Sequence, residues 1–205
     1  PDRRGCDAMS PDVERRVEAA LAALQEDGEE RPQDIRQAAV ALLLRGASFE
    51  ELEVLLMKRA EREGDRWSGQ ISLPGGHEED DDEDLVATAR RESREEGGVD
   101  PGAEDARLFG SMPSIQARAR GARIALYITP VVFHRTEPES PTLGPEAAEA
   151  FWLPLGRIRT GELDRPFRYE HEGVIHRLPT WDYRGHTIRG MTHGNLSRNH
   201  NAKAH

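Results

Sequence analysis

The sequence predicts an α+β protein in which a mixed sheet is covered on two sides by helices. Three observations carry this expectation: short apolar runs of strand length separated by turn residues, a central helix lying between two groups of those runs, and a further amphipathic helix ahead of them. At 205 residues the chain is sized for one domain with a full core.

Ser10-Pro11 reads as an N-cap with proline in the first helical turn, and Val13, Val17, Ala20, Leu21 and Leu24 then recur at helical spacing. This helix ends near Asp27-Gly28. After a charged loop, Glu29 to Asp34, two strands are expected at Ala38 to Leu44 and Val54 to Met57. A third apolar segment, Ile71 to Leu73, stops at Pro74-Gly75-Gly76. The acidic stretch Glu78 to Asp84 leads into a helix over about Glu83 to Glu96, which Gly97-Gly98 terminates. Further strands are expected at Ala106 to Phe109, Ile124 to His134, Ala150 to Leu153, Phe167 to Tyr169 and Val174 to Leu178. The tail from Asn195 to His205 is polar and is expected to fray. No internal repeat is present. The expected organisation is an N-terminal helix and flank over residues 1–30, a main domain over 31–192 and a polar tail over 193–205.

Composition narrows the function classes. The chain holds 38 acidic against 28 basic residues, a formal charge of −10, with 36% apolar and 32% charged residues. It lacks the basic field that binds nucleic acid backbones, and no basic amphipathic stretch suggests a membrane surface. No nucleic-acid or membrane partner is expected. Cys6 is the only cysteine, which excludes an internal disulfide and a cysteine-rich zinc site. The longest apolar run, Ala38 to Leu44, is far too short to span a bilayer. The charged start Pro1-Asp2-Arg3-Arg4 lacks a signal peptide's apolar stretch, so the cytoplasm is the expected compartment. The histidines His171, His176 and His186 show no metal-ligand spacing.

The acidity is concentrated. Residues 78–96 hold ten acids against three bases. At about 100° per residue, with Leu85 at zero, Glu92 falls near 340°, Glu96 near 20° and Glu95 near 280°, while Arg91 and Arg94 fall near 240° and 180°. Glu92 and Glu96 therefore continue the inward apolar stripe, and both arginines point mostly away. Carboxylates crowded beside an apolar face need protons, arginine partners or a cation, and oxygen-only ligands select hard ions, Mg²⁺ or Mn²⁺. A calcium loop starting at Asp80 is excluded, because its sixth and twelfth positions are Leu85 and Arg91 instead of glycine and glutamate.

These residues resemble the Nudix hydrolase box: glycine, five residues, glutamate, seven residues, Arg-Glu, an apolar residue, any residue, Glu-Glu, any residue, glycine, apolar. Glu83, seven residues, then Arg91-Glu92-Ser93-Arg94-Glu95-Glu96-Gly97-Gly98-Val99 match it except at Ser93. The nearest glycine, Gly76, lies one residue further from Glu83 than the box asks. Such an insertion is familiar in the branch similar to coenzyme A pyrophosphatases. Leu55 to Arg59, Trp67 to Gly76, Thr129 to Val132 and Pro145 to Leu155 also resemble that branch, so the likeness covers roughly residues 36 to 192. Two features depart from it: Trp67 stands where the branch carries a histidine, and the loop Gln116 to Arg123 is longer.

The resemblance implies a Nudix-type α/β/α sandwich with a loop-helix-loop catalytic motif, and Mg²⁺-assisted hydrolysis of a nucleoside diphosphate linked to another moiety, coenzyme A conjugates among the candidates. Glu92, Glu95 and Glu96 are the implied metal ligands, with the carbonyl of Gly76 added. Arg91 belongs to the catalytic set and is expected to pair with Glu83, a structural anchor of the loop. The general base comes from a box glutamate or from the later loop, where Glu146 and Glu149 are the candidates; Glu149 is the one assigned. Arg59 and Gln70 are expected to bind phosphate or base, or to be ordinary strand residues. Trp67 stacks on a base or covers the core. The resemblance admits a homodimer. Two other readings stay open: a pyrophosphohydrolase that clears damaged (d)NTPs from the nucleotide pool, and a noncatalytic ligand sensor.

Overall fold

The computed structural model describes residues 8–26, 34–64, 67–119, 122–136, 140–171 and 174–201. Helix α1 (Pro11–Glu26) starts where the Ser-Pro pair predicts, with Ser10 Oγ accepting from the Val13 amide at 3.4 Å. Strand β1 (Arg36–Arg45) is the centre of the sheet. It runs parallel to β7 (Ala122–Arg135) on one side, and antiparallel to β4 (Gly75–His77) and the start of β2 (Glu53–Arg59) on the other. β2 pairs in turn with β3 (Ile71–Ser72) and β8 (Ala147–Pro154). β5 (Ala106–Ser111) and β6 (Ile115–Ala119) both pair with β7. A central strand with neighbours on both edges and helices on both faces must be apolar throughout, which is why Ala38 to Leu44 reads as one unbroken run.

The faces of β1 separate cleanly. Ala39, Ala41 and Leu43 join Leu55, Val131, Phe133 and Trp152 beneath helix α2 (Leu85–Gly97), whose Leu85 and Ala89 complete that cluster. Leu42 and Leu44 face the other way, into a second cluster with Val13 and Leu21 of α1, Ile158 of α3 (Leu155–Arg159) and Leu196 of α4 (Gly190–Asn201). The result is a mixed sheet between helices, as expected. Arg107 of β5 clasps α1 to the sheet edge through Glu14 at 2.5 Å and Glu18 at 2.7 Å. Among the described residues no helix is long and apolar enough to cross a membrane.

The structure corrects several expectations. Gly75-Gly76 does not simply end a strand: with His77 it forms β4, in register with Ala38 to Val40. The segment from Gln116 is not a plain loop, since β6 occupies Ile115–Ala119. The central helix starts at Leu85 and not at Glu83, because Asp84 is its N-cap and accepts from the Ala87 amide at 2.7 Å. Two hairpins, β9 (Phe167–His171) with β10 (Val174–Leu178) and β11 (Trp181–Tyr183) with β12 (His186–Ile188), follow β8 and α3. The stretch expected to fray from Asn195 is helical to Asn201, with Thr192, Asn195 and Leu196 buried. Polar composition hid that helix, since only a narrow face of it is covered.

The end of α2 positions the site. Gly98 takes φ 65° and donates to Arg94 O at 3.1 Å, a left-handed cap that a side chain resists. Beyond it, Thr142 N donates to Gly97 O at 3.0 Å and Gly144 N to Glu96 O at 3.1 Å. The last carbonyls of the helix are thus satisfied by the segment leading into β8. Ser93, at the box position that is normally apolar, is fully buried and donates to Val99 O at 3.1 Å. A β-carbon at Gly98 would stand 2.6 Å from Thr142 O. Gly98→Ala is therefore expected to lower stability by about 1–3 kcal/mol, read as a shift of the urea midpoint at constant slope; an unchanged midpoint contradicts this account of the cap.

Candidate active site

A cleft of about 1720 Å³ opens along the β4 side of the sheet, and Arg59, Gly75, Gly76, Glu92, Glu95 and Glu96 line its acidic end. Glu96 is 2% exposed. Its Oε2 accepts from Gly75 N at 2.8 Å, and its Oε1 lies 3.8 Å from Arg59 Nη1. Burial pushes this carboxyl up to about 7, against the opposing pull of the Gly75 amide. Glu92 is largely covered and is also pushed up by burial, although Arg91 Nη1 donates to its Oε1 at 2.9 Å. Glu95, at the rim, is 61% exposed and lies 3.4 Å from Arg91 Nη1. A β-carbon at Gly76 would displace the Glu92 carboxylate, and one at Gly75 would run into the backbone of Ala39 and Val40.

Arg91 is the hinge of the arrangement, and it does not point away from the acids as the helical wheel suggests. Its Nε and Nη2 grip Asp82 Oδ1 and Oδ2 at 3.1 and 2.9 Å, and Nη2 also donates to His77 O at 2.9 Å. The long side chain curls back over the first turn, which a wheel drawn for Cα directions does not register. Arg91 therefore ties the acidic loop, β4 and Glu92 together. The expected Arg91–Glu83 pair is not formed. Glu83 is exposed ahead of the helix, and Asp82 takes the anchoring place. The signal was in the sequence: Gly76, five residues, then Asp82 keeps the box's first spacing, so the inserted residue lies between Asp82 and Arg91. Arg91 holds the Asp82 carboxyl down to about 2, and Thr88 Oγ1 and the Glu79 amide add hydrogen bonds at 2.9 and 3.0 Å.

The other candidates divide. Arg59 lies on β2 beside Glu96, with Nη2 3.9 Å from Glu146 Oε2. Gln70 and Trp67 line the cleft, Trp67 also packing against Ala38, Ala117 and Leu126. Glu149 is not in a loop and does not line the cleft. It sits within β8 opposite Lys58, its carboxylate 3.0 Å from His186 Nε2. Glu146 does line the cleft, with Arg62 Nη1 on its Oε1 at 2.8 Å and its carbonyl accepting from Ala60 N at 2.8 Å. The difference is one of place: Glu146 lies in the turn ahead of β8, tied back to β2 through Ala60, whereas Glu149 sits inside the strand. Among the described residues no group of three or more His, Cys, Asp or Glu side chains is arranged to hold a metal ion. Arg91 holds Glu92 and Glu95, and Gly75 with Arg59 holds Glu96. The donor set still suits a hard cation, being oxygen-only with two carboxylates raised by burial.

The two candidate anchors separate experimentally. Asp82→Asn should cost about 1.5–3 kcal/mol at pH 7 through its charged hydrogen bonds, whereas Glu83→Ala should stay within about 0.5 kcal/mol. The Asp82 carboxyl has a folded pKa below its unfolded one, so its contribution is complete above about pH 4 and disappears as pH falls towards 2. The stability difference between wild type and Asp82→Asn, followed by urea unfolding, should shrink over that window. Equal effects of the two substitutions would return the anchor to Glu83.

Comparison with known proteins identifies the family. The family model described as the NUDIX domain matches residues 35–178. Nudix hydrolase 15, mitochondrial, of Arabidopsis thaliana is 32% identical over 170 residues, covering 80% of this chain and 57% of that protein. Peroxisomal coenzyme A diphosphatase ndx-8 of Caenorhabditis elegans is 30% identical over 171 residues, covering 82% of this chain and 68% of that one. The chain spans only part of some curated relatives, 57% of the plant protein and 32% of one from fission yeast. Among solved structures, a MutT/nudix family protein from Enterococcus faecalis superposes with a TM-score of 0.50 at 20% identity, over 93% of this chain and 73% of that one, which speaks for the fold. With the family model spanning most of the sheet and the whole loop-helix-loop motif, the chain belongs to the Nudix hydrolase family.

Proposed function

We propose that this protein is a Mg²⁺-dependent pyrophosphohydrolase that cleaves the diphosphate of a nucleoside diphosphate linked to a second moiety, with coenzyme A-like conjugates the first class to test. The observation that carries the reading is the pair of desolvated carboxylates, Glu92 and Glu96, set on the cleft wall against the Gly75-Gly76 edge. Such a wall repels a diphosphate unless a cation stands between them. Glu92, Glu95, Glu96 and the carbonyl of Gly76 would hold Mg²⁺ or Mn²⁺, which when bound supplies charge neutralisation at the diphosphate and a more acidic water. Arg59 would add a fixed positive charge towards the phosphates. Glu146, oriented by Arg62, is the proton acceptor we favour over Glu149, since it alone of the two lines the cleft. Arg91 acts by positioning Glu92 and the acidic loop. The cleft exceeds the roughly 300–1,000 Å³ of ordinary small-molecule sites, which supports a bulky conjugate, as does the likeness to the nematode coenzyme A diphosphatase.

The test is a substrate panel with Mg²⁺, followed by mass: coenzyme A, ADP-ribose, dinucleotide cofactors, nucleotide sugars and oxidised dNTPs. Two monophosphate products from a conjugate support the proposal. Pyrophosphate release from dNTPs identifies a pool-clearing enzyme, and binding without turnover identifies a sensor. Glu95→Gln and Glu96→Gln should each lower Mg²⁺-dependent turnover by about 100-fold or more with an unchanged far-UV spectrum; full activity in either sinks the metal assignment.

A readout independent of turnover is thermal unfolding. Mg²⁺ at about 100 times its Kd should stabilise the wild type by about 2.7 kcal/mol and leave Glu96→Gln nearly unmoved. Because a metal ligand must be deprotonated and burial pushes Glu96 up to about 7, the apparent Mg²⁺ affinity should weaken as pH falls from 8 to 6. Affinity constant across that range contradicts the role of Glu96.

A further inference from the structure

The acidic end of the cleft lies within residues 35–178, the segment shared with the family, but part of the cleft wall comes from outside it. Leu24 of α1 and Met191, Thr192 and Asn195 of α4 supply that part. Helix α4 is pinned to β3 by a buried hydrogen bond in which Thr192 Oγ1 donates to Ile71 O at 3.0 Å. Asn195 follows one turn later on the same helix face. Leu196 beside it is buried in the cluster that holds Val13 and Leu21 of α1, which keeps the helix in place.

Asn195 is 3% exposed, yet its Oδ1 has no donor among the described residues. Ser72 Oγ, one residue after Ile71 and also on the cleft wall, has no partner either. Other neutral side chains of the cleft are bonded: Thr192 to Ile71 O, Ser114 Oγ to Thr129 Oγ1 at 2.7 Å, and Gln116 Nε2 to Ile124 O at 3.1 Å. An acceptor buried without a donor destabilises the fold that carries it, and native structures keep few. On the wall of a cleft, such an acceptor points to a donor brought by what enters the cleft.

We propose that Asn195 is a specificity-determining residue that reads the base of the nucleoside, its amide pairing with an exocyclic amine beside a ring nitrogen, the edge shared by adenine and cytosine. The inference rests on the pyrophosphohydrolase reading, which it deepens. The amine donates to Oδ1 and Nδ2 donates to the ring nitrogen, a two-bond match that an apolar side chain cannot offer. Because no protein donor holds Oδ1, the amide can turn about its last side-chain bond to meet the base. The cleft suits a flat ring: Leu24, Val40, Leu73, Ile128 and Met191 give it apolar walls for the faces of a base, and the amide takes the edge. Ile71, to which α4 is pinned, precedes Gly75 by four residues, at most about 14 Å of chain, and the Gly75 amide holds Glu96 at the acidic end. A nucleoside diphosphate spans that separation with its base at α4 and its phosphates at the carboxylates.

The test uses four conjugates of one diphosphate-ribose that differ only in the base: adenine against purine, and cytosine against pyrimidin-2-one, the second of each pair lacking only the amine. The wild type should prefer the amine-bearing member of at least one pair by about tenfold or more in kcat/KM, and the pair that shows it tells the two bases apart. In Asn195→Leu and in Asn195→Ala that ratio should fall towards one. Asn195→Leu removes an unmet acceptor and keeps the volume filled, so its Tm should equal or exceed that of the wild type, whereas Asn195→Ala leaves a cavity. A purely structural asparagine would move Tm and leave the ratio alone. A wild-type ratio near one for both pairs, or a ratio unchanged in both variants, overturns the assignment. If none of the four is hydrolysed, the pyrophosphohydrolase reading is decided by the substrate panel above, and Asn195 by calorimetry with the four free nucleosides, which need no metal. Tighter binding of adenosine or cytidine that depends on Asn195 supports the assignment, and equal or undetectable binding overturns it.

Discussion

The bidentate ion pair between Arg91 and Asp82 is the contact on which the candidate site depends. One guanidinium reaches the acidic loop through Asp82, strand β4 through His77 O and the helix through Glu92. Its planar fork allows this division, which a lysine's single ammonium would not reproduce. Loop, strand and helix are otherwise joined by few polar contacts, so releasing Arg91 would free the loop and the Glu92 carboxylate together. Asp82 is nearly buried and bonded by four donors from Arg91, Thr88 and Glu79, which makes the pair a folded-state interaction and not a solvated surface bridge.

Around that pair the fold accepts an electrostatic penalty. Two carboxylates are desolvated beside Gly75 and Gly76; a β-carbon at Gly75 would meet the β1 backbone, and one at Gly76 would push the Glu92 carboxylate aside. The penalty falls where the glycine pair of β4 brings backbone against the helix. The C-terminal end of α2 is held by the Thr142 and Gly144 amides, so the same helix that carries the carboxylates also sets the segment that brings Glu146 to the cleft. The proposed metal ligands and the proposed proton acceptor thus depend on one helix, with Arg91 governing its loop side and Gly98 its far end.

The large elements were legible because burial imposes a pattern. A strand covered on both faces has to be apolar throughout, and Ala38 to Leu44 is; a helix packed on one face has to repeat at helical spacing, and Leu85, Ala89, Glu92 and Glu96 do. The small elements were not. β4 is glycine-rich and pairs only because β1 offers a free edge there, β6 has alanine or arginine at three of its five positions, and α4 is polar over most of its length. Each owes its form to a neighbour and not to its own composition.

The candidate site divides along the same line. Which residue types are present, how they are spaced within α2 and that a hard cation suits them follow from the linear order, because positions three and four apart on a helix share a face regardless of the rest of the molecule. Tertiary packing settled that Arg91 grips Asp82 and not Glu83, at which the Gly76-to-Asp82 spacing only hinted, and it alone settled that Glu146 and not Glu149 reaches the cleft. Those relations join segments far apart in the chain, or turn on where a single inserted residue falls. Local periodicity carries no information about either, since they are fixed only when β1 brings its partners together.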